Sequence, residues 1–266
     1  MTRRVAVVDF GPVHAHAVSL PEAVEVIARR AKSGGGGYVL TPNVDHISVC
    51  ARNTELAAAY RRCFLSLADG MPLVLLSRLL RLPLRQKVSG SDLFEPLMAR
   101  CARDGLPVFF LGATDEVCAQ AERKLRRSFP SIQVTGWDSS VFDLAADPGH
   151  ALTVVRRARE RGTRLIIVCL PAGKQTLLAR FEDDYRPAVG IGAGSALAFY
   201  VGEVRRAPPW MSRCALEWLY RLSCEPRRLW RRYLVEAAWV VPVFLRLTLD
   251  RLSGRSCHRV CTLPLG

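Results

Sequence analysis

As far as about residue 204, short apolar runs rich in β-branched residues alternate with longer amphipathic segments, and this alternation limits the fold more than any other feature of the chain. Candidate strands run from Val5 to Phe10, Tyr38 to Thr41, Phe64 to Ala68, Val108 to Leu111, Ile132 to Thr135, Leu165 to Cys169 and Ala188 to Ile191. Candidate helices fill the gaps, from Pro21 to Lys32, Thr54 to Cys63, Ser91 to Arg103, Glu116 to Ser128, His150 to Arg161 and Lys174 to Phe181. The pattern predicts an α/β fold, a Rossmann-like parallel sheet flanked by helices. Pro21 suits a first helical turn and Asn53 an N-cap. Gly34 to Gly37 reads as a turn before a strand, since no Lys-Ser/Thr pair follows to make a phosphate loop.

After residue 204 the chain turns helical, basic and aromatic. Arg205-Arg206-Ala207-Pro208-Pro209-Trp210 leads into Leu216 to Leu222 and then Glu225-Pro226-Arg227-Arg228-Leu229-Trp230-Arg231-Arg232-Tyr233. Pro226 is expected to end one helix and start the next. In the second helix Leu229, Tyr233, Ala237, Val240, Val241 and Phe244 form an apolar stripe, with Arg228, Arg231 and Arg232 away from it. Guanidinium forks bind phosphate oxygens in pairs while neighbouring rings bury area, which suits a lipid-linked diphosphate. The apolar run from Ala237 to Leu245 contains Pro242 and falls short of the roughly 20 residues of a membrane span, so an interfacial helix is expected. The expected organisation is a catalytic core over 1–203, a basic helical membrane-associating appendage over 204–252 and a disordered tail over 253–266.

A formal net charge of +14 points to an anionic partner, whether nucleic acid, membrane surface or phosphate-bearing substrate. No nucleic-acid recognition motif accompanies the Arg/Trp/Tyr helices, so nucleic acid is not the expected partner. Gly190, Gly192 and Gly194 raise a nucleotide-cofactor oxidoreductase, but they come late in the chain and lack an acidic residue at the usual distance for ribose binding. Nine Cys without a C-x-x-C pair suggest buried thiols in a reducing cytoplasm rather than a disulfide framework or zinc ribbon. Asp9 follows the first apolar run too early for a secretory leader.

Ligands of doubly wound sheets bind outside the carboxyl ends of the strands. Thr41-Pro42-Asn43-Val44-Asp45-His46, Ala68-Asp69-Gly70-Met71-Pro72, Gly173-Lys174-Gln175 and Gly190-Ile191-Gly192-Ala193-Gly194 all fall at such ends. Val88-Ser89-Gly90-Ser91-Asp92-Leu93 adds a helix start whose free amides suit an anion. Asp69 is placed either to take a proton at a pocket mouth or to close a turn with Gly70. Thr41 and Asn43 offer a hydroxyl and an amide for sugar hydroxyls or a diphosphate, or plain turn chemistry around Pro42. No Asp-x-Asp pair is present to hold a metal, so arginines are the natural counter-charge for a leaving nucleotide.

Together, Thr41-Pro42-Asn43, Ala68-Asp69-Gly70-Met71-Pro72, Ser89-Gly90-Ser91-Asp92-Leu93, Lys174-Gln175, Arg206-Ala207-Pro208 and the stretch from Leu216-Glu217-Trp218 to Arg232-Tyr233 resemble the WecG/TagA/CpsF glycosyltransferase family, in one order from about residue 38 to about 234. The resemblance implies inverting, metal-independent transfer of N-acetylmannosamine or glucose from a UDP-sugar to a polyprenyl-diphosphate-linked sugar, at the cytoplasmic membrane face, in building a bacterial surface polymer. It implies Asp69 as base, with Thr41 and Asn43 beside it. Gln175 falls near the donor sugar, and Gly192, Ser91 and Asp92 complete the core's share of substrate binding. Arg221, Arg228 and Arg231 match basic positions of the family's appendage, which is expected to fold over the pocket on meeting a membrane. Deleting everything after Gly202 is then expected to abolish transfer and leave a folded core. Thr176 and Ala198 stand where many relatives carry Glu and Asp, which leaves the donor open. No cofactor is implied, and a homo-oligomer of unfixed number is.

Overall fold

The computed structural model of the protein describes residues 2–84, 86–140, 144, 147–205, 207–208, 211, 216–224, 230, 240–253 and 258–264. Strands β3 (Tyr38–Leu40), β4 (Leu65–Ser66), β5 (Val108–Leu111), β6 (Val134–Asp138), β7 (Leu165–Val168) and β8 (Val189–Gly192) form a six-stranded parallel sheet in the order β4-β3-β8-β7-β5-β6. Successive side chains point to opposite faces. Val108, Phe110, Leu165 and Ile167 join one core cluster, while Phe109, Leu111, Ile166 and Val168 join the other. Burial on both faces explains why these strands read as continuous apolar runs.

Helices α1 (Leu20–Lys32), α5 (Gly90–Asp104), α6 (Asp115–Ser128) and α10 (Ala196–Val201) cover the first face. The second carries α2 (Val44–Arg52), α3 (Thr54–Arg62), α4 (Met71–Leu79), α7 (Pro148–Glu160), α8 (Lys174–Arg180) and α9 (Glu182–Tyr185). Their ends follow local chemistry. A capping box between Ser19 and Glu22 opens α1 with Pro21 in its first turn, and the Asn53 side chain accepts from the Leu56 N–H at 2.9 Å to open α3. Past α10, the described residues include α11 (Glu217–Cys224) and α12 (Val240–Leu252). Leu247 is buried in the second cluster, so α12 rests on the core. Pro226, proposed to break the appendage, lies outside the described residues.

Two sequence expectations are corrected. The run from Val5 to Phe10 does not enter the parallel sheet. It forms β1 (Arg3–Asp9), which turns over residues 10–13 into antiparallel β2 (His14–His16), because a parallel return needs a dozen or more residues and this link is far shorter. Nor is the tail disordered where it is described. His258–Leu263 is a strand, β9, paired antiparallel with β1 from Arg3↔Leu263 to Val8↔His258. Leu263 is buried in the first core cluster and Cys261 packs against it, so apolar burial and an open β1 edge hold the segment in place. The small sheet meets the large one at β4, where the Ser66 N–H donates to His16 Nδ1 at 3.0 Å and the Ser66 hydroxyl donates to the His14 carbonyl.

Candidate active site

The chain leaves β3 outward to the edge strand β4, whereas β5 to β8 fill the other side of the sheet, so β3 and β8 are neighbours whose connections diverge. That junction is where parallel sheets open a crevice for ligands. Thr41 follows β3 and donates its hydroxyl to the carbonyl of Gly192, the last residue of β8, at 3.3 Å. Neighbouring loops are stitched to it. The Asp69 N–H donates to the Pro42 carbonyl at 2.8 Å, and the Val88 N–H to the Ala68 carbonyl at 2.8 Å. Gly90 closes the ring, since a Cβ there would lie 2.7 Å from the Ala193 carbonyl oxygen. Only a glycine lets α5 begin this close to the loop after β8.

Asn43 caps α2 and its partner is His46. The Asn43 side chain accepts from the His46 N–H at 3.3 Å, and the Asn43 N–H donates to His46 Nδ1 at 3.1 Å. A neutral ring that accepts at Nδ1 carries its proton on Nε2. That nitrogen lies 2.9 Å from the Gln175 side-chain amide, so the amide turns its oxygen to the ring. Gln175 is buried on α8, beside the buried hydroxyl of Tyr60, and the Tyr60 ring lies 5.7 Å from that of His46. Burial pushes the Tyr60 phenol well above its ordinary range, and the charge of nearby Asp69 adds to the rise. The expected donor-site and base-site residues are thus joined through His46 and Tyr60. His46 closed the strand-end stretch from Thr41 without a role of its own, and Tyr60 was not singled out. The signal for His46 was its place three residues after a capping Asn.

Asp69 is partly exposed, and Gly70 after it has φ +110° and ψ 145°, a conformation open to glycine alone. That backbone turn sets the direction in which α4 leaves the carboxylate. Asp92 is engaged locally: its carboxylate accepts from the Ser89 hydroxyl at 2.6 Å and lies 3.6 Å from Lys87 Nζ. Ser89, not Ser91, is the N-cap of α5, and the Ser91 hydroxyl lies 3.1 Å from that of Ser89. Ser91, Asp92 and Lys87 line an open cleft of about 370 Å³ with Leu20 and Glu95.

Lys174 opens α8, and its stem passes beside Gly192 and Gly194, which brings a core cation to the end of β8. Arg221 lies on α11, whereas Arg228 and Arg231 lie outside the described residues. The free thiols Cys50, Cys63, Cys101, Cys118 and Cys169 are buried, and burial pushes each up to about 12, so none is a thiolate at neutral pH. Among the described residues no three His, Cys, Asp or Glu side chains gather as a metal site, and no helix is long and apolar enough to cross a membrane.

These strand-end loops coincide with the motifs that carried the resemblance. A family model described as "Glycosyl transferase WecG/TagA/CpsF family" matches residues 8–255, nearly the whole chain. The protein belongs to the WecG/TagA/CpsF glycosyltransferase family and is a transferase of cell-surface polysaccharide synthesis.

Proposed function

We propose that the protein moves a hexose or N-acetylhexosamine, of N-acetylmannosamine or glucose type, from a UDP-sugar to a polyprenyl-diphosphate-linked sugar, with inversion and without a metal, at the cytoplasmic face of a bacterial membrane. The observation that carries this reading is the convergence of the Thr41, Asp69 and Gln175 loops on the β3/β8 junction. Asp69 takes the acceptor hydroxyl's proton as that oxygen attacks C1 of the donor from the face opposite the nucleotide. The C1–O bond to UDP breaks and its electron pair leaves on the β-phosphate. Thr41 and Asn43 hold the reacting groups beside the base. Gln175, fixed by His46, faces the donor sugar, and Gly192 lets the donor approach the end of β8.

Charge gathering on the leaving diphosphate is offset by Arg221, Arg228 and Arg231 of the 204–252 appendage, aided by Lys174 from the core. Asp92 contributes by holding Ser89 and Lys87, with Ser91 beside them. The test is incubation of the purified protein with a prenyl-diphosphate-linked acceptor, EDTA and a panel of radiolabelled UDP-sugars. One UDP-sugar is expected to label the lipid well above the rest. Labelling only from other nucleotide sugars, or only once a divalent cation is restored, refutes the corresponding part of the assignment.

A further inference from the structure

α4 begins two residues after Asp69 and buries Leu73, Val74 and Leu76 against the second core cluster. Among the described residues its opposite face is exposed. Leu75 and Leu79, one helical turn apart, are 46% and 70% exposed, and Leu79 is the most exposed large apolar side chain among the described residues. Pro72, Arg78 and Arg81 are exposed around them. The sequence from Asp69 to Asp92 has no acidic residue in between and carries Arg78, Arg81, Arg85 and Lys87. On α12 a second stripe, Val241, Leu245 and Leu249, is exposed at the same spacing, while Leu247 anchors that helix in the cluster that holds the inner face of α4.

We propose that the outer face of α4 is a contact surface for an anionic bilayer, which brings the Asp69 turn to the level of the lipid headgroups. Leucines rimmed by arginines, with no carboxylate in the segment, match the chemistry of that boundary: the apolar stripe enters the acyl edge and the guanidiniums pair with lipid phosphates. The exposed stripe of α12, on a helix anchored in the same core cluster, offers a second apolar face of the same kind. The inference rests on the lipid-linked acceptor proposed above, and it supplies that acceptor's route, since its hydroxyl then meets the base without leaving the membrane.

The test is cosedimentation of the full-length protein with phosphatidylcholine vesicles, with and without phosphatidylglycerol, in the absence of any sugar nucleotide or acceptor. Leu75→Ser/Leu79→Ser is expected to weaken binding to anionic vesicles about tenfold, and Arg78→Gln/Arg81→Gln at least as much on anionic vesicles only. Unchanged circular dichroism and melting temperature identify folded variants, and the single change Leu79→Ser serves if the double variant does not fold. Wild-type binding by both folded double variants overturns the proposal. So does light scattering that shows a dimer split by Leu75→Ser/Leu79→Ser with vesicle binding intact, which would make the face a subunit interface. Because the vesicles carry no substrate, a protein that transfers no sugar but loses vesicle binding in these variants would sink the proposed reaction and leave the membrane face standing.

Discussion

Acid should loosen the small sheet from the parallel one, and two buried imidazoles set by how much. His14 and His16 are buried, with ring centroids 5.4 Å apart. Burial, and less so the charge of Arg259 on β9, hold His14 at about 4 instead of 6.5, and burial and then His14 do the same for His16. Between those limits each ring is protonated in the unfolded chain and neutral in the fold. The unfolded state therefore binds more protons, and stability falls as pH drops, by about 1.4 kcal/mol per pH unit for each His. From pH 6.5 to 5 this comes to roughly 1–2 kcal/mol per ring and about 3 kcal/mol for the pair, a large share of a typical stability of about 5–15 kcal/mol. Urea titrations at both pH values should compare wild type with His14→Asn/His16→Asn. In that variant the new amide oxygen at position 16 can still take the Ser66 N–H but cannot titrate, and carboxylate effects cancel in the difference. The variant should lose about 3 kcal/mol less than wild type on acidification, and Arg259→Gln should lessen the wild-type loss slightly. A difference under about 1 kcal/mol would refute the reasoning, because it would mean that the rings accept protons without leaving their sites.

Asp69→Asn should remove turnover while UDP affinity, read by calorimetry, stays within about threefold, since a base acts on the acceptor's proton and not on the nucleotide. In Gly70→Ala the new Cβ would meet nothing closer than Pro72 Cδ at 3.6 Å, so backbone strain at φ +110° acts alone. A loss of about 1–3 kcal/mol is expected, seen as a melting point lower by roughly 2–10 °C. Gly90→Ala meets the Ala193 backbone at 2.7 Å and must push the β8 loop away. It should raise the donor KM roughly tenfold with a stability loss of about 1–3 kcal/mol, and an unchanged KM would show that the loop position does not matter to the donor.

Six of the seven strand candidates became the parallel sheet, because burial on both faces writes itself into sequence as an uninterrupted apolar run. The first candidate has the same composition, and only the short link from Asp9 to His14 marks it as half of a hairpin. α2 and α4 were not anticipated, since each starts inside a motif that reads as a turn: Asn43 is the cap of one and Gly70 of the other. β9 was missed for a different reason. Its residues alternate weakly, and what orders it is an open strand edge at the other end of the chain. The site was legible as a set of strand ends. The link from Asn43 to Gln175 was not, because its step from His46 to Gln175 spans 129 positions and exists only once β3 and β8 are neighbours.

That same C-terminal strand changes what a truncation can teach. Removing everything after Gly202 was expected to isolate the appendage's contribution from an intact core. The cut would also strip β9 from β1, take Leu263 out of the first core cluster and lift Leu247 from the second. β1 would regain an open edge next to β2, whose histidines grip Ser66 on β4, and Asp69 lies three residues beyond Ser66. Lost transfer in such a protein would reflect a displaced Asp69 as readily as the loss of the proposed arginine contribution. Substituting Arg221, Arg228 and Arg231 within the full chain keeps both anchors, Leu247 on the core and β9 on β1, so any fall in kcat is then assigned to charge rather than to the seating of the site. The basic segment is bracketed between α10 and these anchors, so any closure over the pocket has to be a bending of chain held at both ends, not the swing of a free arm.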